Sequence, residues 1–173
     1  MTHDLARQSR DFWDRNPLLA FELPDSGTRA FVEAFDRIRV DVEQHALHLW
    51  EFDQHSGHRI LDIGCGGPAF LVRRFLEGGG EVTGLDVSGR SLSVARAHLR
   101  AMGMSGSLCQ GSAEELPFPE SSFDLATSSG VLHHTPDTPR AIREVFRVLR
   151  PGGRTIISLY FRSIFLRPSV WPV

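Results

Sequence analysis

The sequence predicts an α/β chain, a doubly wound and mostly parallel sheet with helices on both faces, preceded by an N-terminal helical cap. Three observations predict it. From Arg59 onward, short apolar strands alternate with amphipathic helices; each strand ends on glycine or polar residues; and before Arg59 the apolar residues recur at helical spacing. Strands separated by helices require right-handed crossovers, which build a parallel sheet covered on both faces. Such a sheet binds ligands at the carboxyl ends of its strands.

Taken in order, Leu5, Phe12 and Trp13 can share one face of a short helix that stops before Pro17. NPLLAFELPDSG is a turn-rich linker, and between Thr28 and Phe52 the residues Phe31, Phe35, Ile38, Val42 and Leu49 mark a second helical stretch. RILDI is the first strand, and PAFLVRRFLEGGG is a helix closed by glycines. EVTGLD is the second strand, followed by the helix SLSVARAHLRAMG with Leu92, Ala95, Leu99 and Met102 on one face. GSLCQ, FDLATSS and RTIISLY supply three more strands. PRAIREVFRVLRPGG is a helix with Ile142, Val145 and Leu149 inward, ended by Pro151 and Gly152. The chain divides into a helical cap over 1–57, a sheet domain over 58–160 and a C-terminal tail over 161–173.

At 173 residues, 41% of them hydrophobic, the chain has the length and composition of one domain with a core. No run approaches the ~18 apolar residues of a membrane span, and the N-terminus has no secretory signal, so a cytoplasmic location is expected. Two cysteines, Cys65 and Cys109, are too few for a disulfide framework, and no Cys/His spacing suggests a metal site. The net charge of −2 gives no argument for nucleic acid. Seven arginines from Arg140 onward face only Glu144 in opposition, a pattern read as a solvated helix face and loop. With no lysine in the chain, Schiff-base chemistry and a P-loop are excluded.

The polar residues at the strand ends carry the functional reading. The first strand ends at Asp62 and a turn containing Gly64, Cys65 and Gly66; the second ends at Asp86; the third at Ser112, Ala113 and Glu114; the fourth at Ser129 and, beyond it, His133 and His134. Gly64-x-Gly66-x-x-Ala69 followed by Asp86 fits a dinucleotide fingerprint, a weak motif by itself. Asp62 argues against a diphosphate there, because like charges a few Å apart cost on the order of 4 kcal/mol at an effective dielectric of about 20. Pro68, expected in the first helical turn, removes an N–H that a phosphate would use.

ILDIGCGGP, GLDVS, QGSAEELPFPESSFDLATSSGVLHHTPD and EVFRVLRPGG, in this order over residues 59–160, resemble the successive motifs of class I S-adenosylmethionine-dependent methyltransferases, in particular their UbiE-like small-molecule branch. The resemblance implies a Rossmann-like fold, S-adenosylmethionine as cofactor and a small-molecule methyl acceptor with an O, N or C nucleophile. Gly64, Cys65 and Gly66 would form the turn against the methionyl part, and Asp62 would favour the cationic ammonium and sulfonium end. Asp86 would accept the ribose hydroxyls, Val87 would pack on the adenine, and Ser112, Ala113 and Glu114 would meet its edge, with Ser129 at the end of the fourth strand. Two positions depart from the pattern: Ser112, where aspartate is more frequent, and Pro68, where a third glycine usually stands.

His133 and His134 are the candidate bases beside an acceptor, or else they shape the loop before the next helix; with Asp137 they make a poor metal site, and no metal is expected. Phe12, Trp13 and Tyr160 are candidates for an acceptor pocket, and FWDRNP resembles the start of the cap in related enzymes. The resemblance leads one to expect more sheet after the fifth strand than 13 residues can form. This points to a truncated fold, or to a homo-oligomer or partner covering that edge. Two other readings stay open: a non-catalytic S-adenosylmethionine or S-adenosylhomocysteine binding module, and an NAD-dependent oxidoreductase.

Overall fold

The computed structural model describes residues 2–15 and 25–159. Its elements in chain order are α1 (Thr2–Arg15), α2 (Arg29–Glu43), β1 (Arg59–Ile63), α3 (Phe70–Glu77), β2 (Glu81–Asp86), α4 (Gly89–Ala101), β3 (Ser107–Gln110), β4 (Phe123–Ser129), α5 (Thr138–Val148) and β5 (Leu149–Ser158). Short 3₁₀ turns occupy Leu47–Trp50, Phe52–Gln54 and Leu132–His134. The five strands lie in the order β3-β2-β1-β4-β5, and all four pairings are parallel. The chain reverses its direction of travel between β1 and β4, and the crevice outside that point is where such sheets bind ligands.

Strand alternation divides the core. Ile60, Val82 and Leu125 pack on one face with Phe70, Leu71 and Phe75 of α3, Leu92, Ala95 and Leu99 of α4, and Phe31 and Phe35 of α2. Leu61, Ile63, Leu85 and Ala126 pack on the other with Ala141, Val145 and Val148 of α5. Side-chain caps start α4 and α5. The Ser88 hydroxyl accepts the Ser91 N–H at 3.0 Å to open α4, and the Asp137 carboxylate accepts the Arg140 N–H at 2.9 Å to open α5. Thr28 does the same for α2, accepting the Phe31 N–H at 3.2 Å.

The structure redraws three boundaries. The apolar stripe of residues 28–52 is not one helix: α2 stops at Glu43, Glu51 adopts a left-handed φ of 53°, and Ile38, Val42 and Leu49 are exposed. Pro68 stands before α3 and not in its first turn, because Ala69 takes a left-handed φ of 49° and the helix starts at Phe70. Nor does α5 extend to Pro151 and Gly152. Leu149 already pairs with Phe123 in the sheet, and Pro151 and Gly152 fall in the irregularity before Arg154 pairs with Leu125.

Several C-terminal arginines are spent on neighbouring acids. Arg147 pairs with Glu144 at 2.7 Å, Arg150 with Asp124 at 2.7 Å and Arg154 with Glu51 at 2.9 Å. Arg162, Arg167 and Tyr160 lie outside the described residues, as does the tail. Among the described residues no helix is long and apolar enough to cross a membrane.

Candidate functional site

A cavity of about 410 Å³ opens at the carboxyl ends of β1, β2 and β3 and against the segment that follows β4. This is within the range that holds a small molecule. Its floor is the glycine turn after β1, whose first three N–H groups point to protein acceptors. Gly64 and Cys65 both donate to the Leu85 carbonyl, at 2.7 and 3.0 Å, and Gly66 donates to the Asp86 carboxylate at 2.9 Å. A phosphate needs such groups turned outward. The lining residues that carry formal charge are Arg10, Asp86 and Glu114, a set that does not favour a diphosphate.

Gly64 is required by shape as well as by conformation. Its φ is +78°, and a Cβ there would sit 2.4 Å from a Val131 methyl. The turn therefore packs against the loop after β4 without an intervening side chain, and both line the cavity.

Asp86 ends β2 with both carboxylate oxygens fixed: Oδ1 accepts the Ser88 N–H and Oδ2 the Gly66 N–H, each at 2.9 Å. Burial raises its pKa, and the two N–H donors oppose that rise. Each oxygen retains a second lone pair for a ligand hydroxyl. Beside it, Val87 and Gln110 line the cavity, with Gln110 held by its Nε2 donating to the Val87 carbonyl at 3.1 Å. At the end of β3, Ser112, Ala113 and Glu114 form the next wall. The Ser112 hydroxyl accepts the Glu114 N–H at 3.2 Å, and the Glu114 carboxylate accepts the Asp137 N–H at 2.7 Å.

Of the residues expected to hold the cofactor or act as a base, Asp62, Cys65, Ser129 and His133 do not line the cavity. Asp62 lies under the turn, 2% exposed, where its Oδ1 accepts the Thr127 hydroxyl at 3.0 Å. Burial raises its pKa to about 7, against the Thr127 hydrogen bond and the field of Arg39. Cys65 is buried in the apolar core, its Sγ where a Cβ on Gly84 would be 3.0 Å away, so its side chain faces away from the cavity. Ser129 is engaged by α2, accepting Arg39 Nη2 at 2.7 Å. His133 stands behind His134, with ring centroids 4.0 Å apart, and only His134 reaches the cavity wall. Burial lowers the pKa of both, and the neighbouring His133 lowers that of His134 further.

The remaining wall comes from α1. Arg10 and Trp13 line the cavity, and the Trp13 ring meets His134 edge-on at 5.4 Å. The helix is docked by the Ser88 hydroxyl donating to Asp14 at 2.5 Å. Phe12 is 40% exposed and packs on Trp13 without lining the cavity. Arg10 and Gln110 were not picked from the sequence. Arg10 lies three residues before Trp13, on the same helical face, and Gln110 ends β3 as Asp86 ends β2; those two signals were there to read. Among the described residues no group of three His, Cys, Asp or Glu side chains is placed to hold a metal ion.

Sheet order, glycine turn and acidic strand end together define a Rossmann-like domain with its crevice at the carboxyl ends of the strands. The chain belongs to the family of methyltransferase domains, whose model matches residues 61–157, from β1 into β5. It is 40% identical over 119 residues to the ubiquinone/menaquinone biosynthesis C-methyltransferase UbiE of Edwardsiella ictaluri, covering 66% of this chain and 47% of that relative. The chain thus spans about half the length of the curated relatives it matches. Among solved structures it is similar to the YcgJ protein of Bacillus subtilis, at TM-score 0.62 and 35% identity, over 66% of this chain and 50% of that one. It is also similar to an S-adenosylmethionine dependent methyltransferase of Mesorhizobium loti, at TM-score 0.59 and 36% identity, over 68% and 53%.

Proposed function

We propose that this chain binds S-adenosylmethionine in the crevice over the glycine turn and transfers its methyl group to a small-molecule nucleophile, carbon before oxygen or nitrogen. The observation that carries the reading is the Asp86 carboxylate, pre-oriented by Gly66 and Ser88 over a turn whose first three N–H groups are already donated within the protein. A ribose diol suits two fixed carboxylate oxygens. Val87 and Ala113 flank the place of an adenine, with the Ala113 N–H and Ser112 hydroxyl at its edge. Gly64 and Gly66 leave room for the methionyl part. Asp62 acts from beneath the turn through its field, strongest above pH 7, where it is ionised.

When bound, the cofactor supplies an electrophilic methyl on a sulfonium. The protein's part is to position the acceptor in line with it and to exclude water. Trp13 and Arg10 on α1 close the cavity, and His134, kept neutral by burial, accepts a proton from an acceptor that must lose one. His133 supports the His134 ring. The carbon preference rests on the relatives' names, and acceptors of the ubiquinone/menaquinone type are the first to try. The charge balance disfavours nucleic acid as acceptor, and the buried free thiol of Cys65 suits the cytoplasm.

Calorimetry with S-adenosylhomocysteine, S-adenosylmethionine and NADH tests the reading. Binding of the first two with none of the third is expected, followed by methyl transfer to a quinol-type acceptor. NADH binding with no response to S-adenosylhomocysteine would sink the proposal, and cofactor binding without methylation of any acceptor would reduce it to a binding module.

A further inference from the structure

Two consecutive carbonyls of the glycine turn, Gly67 and Pro68, are held from below by buried side chains that never reach the cavity. His98 of α4, fully buried, places Nδ1 2.9 Å from the Gly67 carbonyl. Arg73 of α3, also fully buried, donates from Nε to the Pro68 carbonyl at 3.2 Å. Each is tied at its other end to α2 or to the turn that leads into it. The Gly27 N–H donates to His98 Nε2 at 2.8 Å, Phe31 stacks on the imidazole at 4.7 Å, and the Arg73 guanidinium forms a two-pronged pair with Asp36.

These contacts fix the protonation state of the ring. A carbonyl can only accept and an amide N–H can only donate, so Nδ1 carries the proton and Nε2 must be bare. A second proton on Nε2 would face the Gly27 N–H, donor against donor. The charged groups around the ring are Arg73 from α3 and Asp36 from α2, which pair with each other. Burial lowers the His98 pKa; the Gly67 contact raises it, Arg73 lowers it and Asp36 raises it.

We propose that His98 is a positioning residue that joins the start of α2 to the ligand-facing glycine turn, and that the junction holds only while its imidazole is neutral. The line of contact runs from Gly27 through His98 to Gly67, and from the neighbouring Gly66 N–H to the Asp86 carboxylate. The site is therefore regulated by acid from a residue that touches no ligand. The inference rests on the cofactor reading above for its ligand, though not for its geometry.

The linkage is reciprocal, so a ligand that needs the ordered turn must make His98 harder to protonate. The test is a titration of His98 by nuclear magnetic resonance with and without S-adenosylhomocysteine, alongside calorimetry from pH 8 to pH 5.5 on the unmodified chain, His98→Asn and His98→Gln. The His98 ring is expected as the Nδ1–H tautomer. Affinity should fall about five- to tenfold as it takes up its second proton, below the usual imidazole range, the size of one lost hydrogen bond. S-adenosylhomocysteine should lower the pH of that step, and neither variant, having no titrating group at position 98, should show it, while the slope that Asp62 contributes near pH 7 should be common to all three proteins. A His98 titration that ignores the ligand, or variants with unchanged affinity and unchanged pH dependence, would overturn the proposal. If the unmodified chain binds no S-adenosylhomocysteine at any pH, it is the cofactor reading that fails. The junction is then judged on the Gly27 and Gly66 amide signals: movement together with His98 supports it, and an unmoved Gly66 overturns it.

Discussion

Gly66 donates its backbone N–H to the Asp86 carboxylate across 2.9 Å, tying the turn after β1 to the acid that ends β2. The bond fixes one carboxylate oxygen in the crevice while Ser88 fixes the other. Asp86→Ala is therefore expected to lose S-adenosylhomocysteine affinity by about 10- to 100-fold, the worth of a hydrogen bond to a charged group. Calorimetry on variant protein with unchanged circular dichroism checks it. Unchanged affinity would remove Asp86 from the ribose.

Gly64→Ala places a methyl 2.4 Å from Val131 on a backbone with φ +78°. The left-handed conformation alone costs an L residue about 1–2 kcal/mol, so the total loss should be at least about 2 kcal/mol. Adding Val131→Gly, which also removes the Val131 Cβ that would stand 2.8 Å from the new methyl, should recover the steric part relative to Val131→Gly alone and leave the conformational part. Urea denaturation of the single and double variants separates the two.

Asp62 makes stability depend on pH. Its folded pKa of about 7 lies above the ordinary 3.8, so the fold favours the protonated acid. The stability this contributes is complete below pH 3.8 and is lost as pH rises through about 7. Asp62→Asn keeps an acceptor for Thr127 and removes the charge. It should be more stable than the unmodified chain at pH 8, on the order of 2–4 kcal/mol, with the gap closing toward pH 5. Urea midpoints at the two pH values read this directly, and equal slopes with pH in both proteins would exonerate Asp62.

Arg73→Ala strands Asp36 and the Pro68 carbonyl beneath the turn. Removing one partner of a buried ion pair costs about 3–5 kcal/mol, and the partial exposure of Asp36 puts the expectation near the lower end. Adding Asp36→Ala should restore part of the loss, measurable by chemical denaturation.

His134 lines the cavity and His133 does not. A base must be neutral to act, and burial lowers the His134 pKa, so the methylation rate should fall with acid only below the usual imidazole range. His134→Gln should cost about 10²-fold in kcat for an acceptor that must lose a proton, with S-adenosylhomocysteine affinity retained. His133→Gln should keep the acid limb of the profile. A rate profile identical in all three proteins would exclude a histidine base.

Much of the sheet was legible because its determinants are local. RILDI, EVTGLD and FDLATSS became β1, β2 and β4 residue for residue, since each is an apolar run bounded by turn residues. The misread boundaries sit where a neighbour overrides local preference. Leu149 satisfies a helical pattern, yet it is drawn into the ladder beside Phe123, and Ala69 takes a left-handed backbone that delays α3.

For the site, the sequence alone determined the glycines, Asp86 and the Ser112–Glu114 wall, because strand ends of a parallel sheet converge wherever the chain alternates strand and helix. Only the tertiary structure decided which neighbours share the cavity. Asp62 and Cys65 are adjacent to Gly64 and Gly66 in sequence, but the turn leaves the first under the floor and the second in the core. Trp13 and Arg10 come from a helix some seventy residues away from Ser88, docked through Asp14. His98 reads in sequence as one more position of an amphipathic helix. Its role exists only because packing brings Gly27 and Gly67 to opposite edges of its ring, and no local pattern encodes a contact made by two distant backbones.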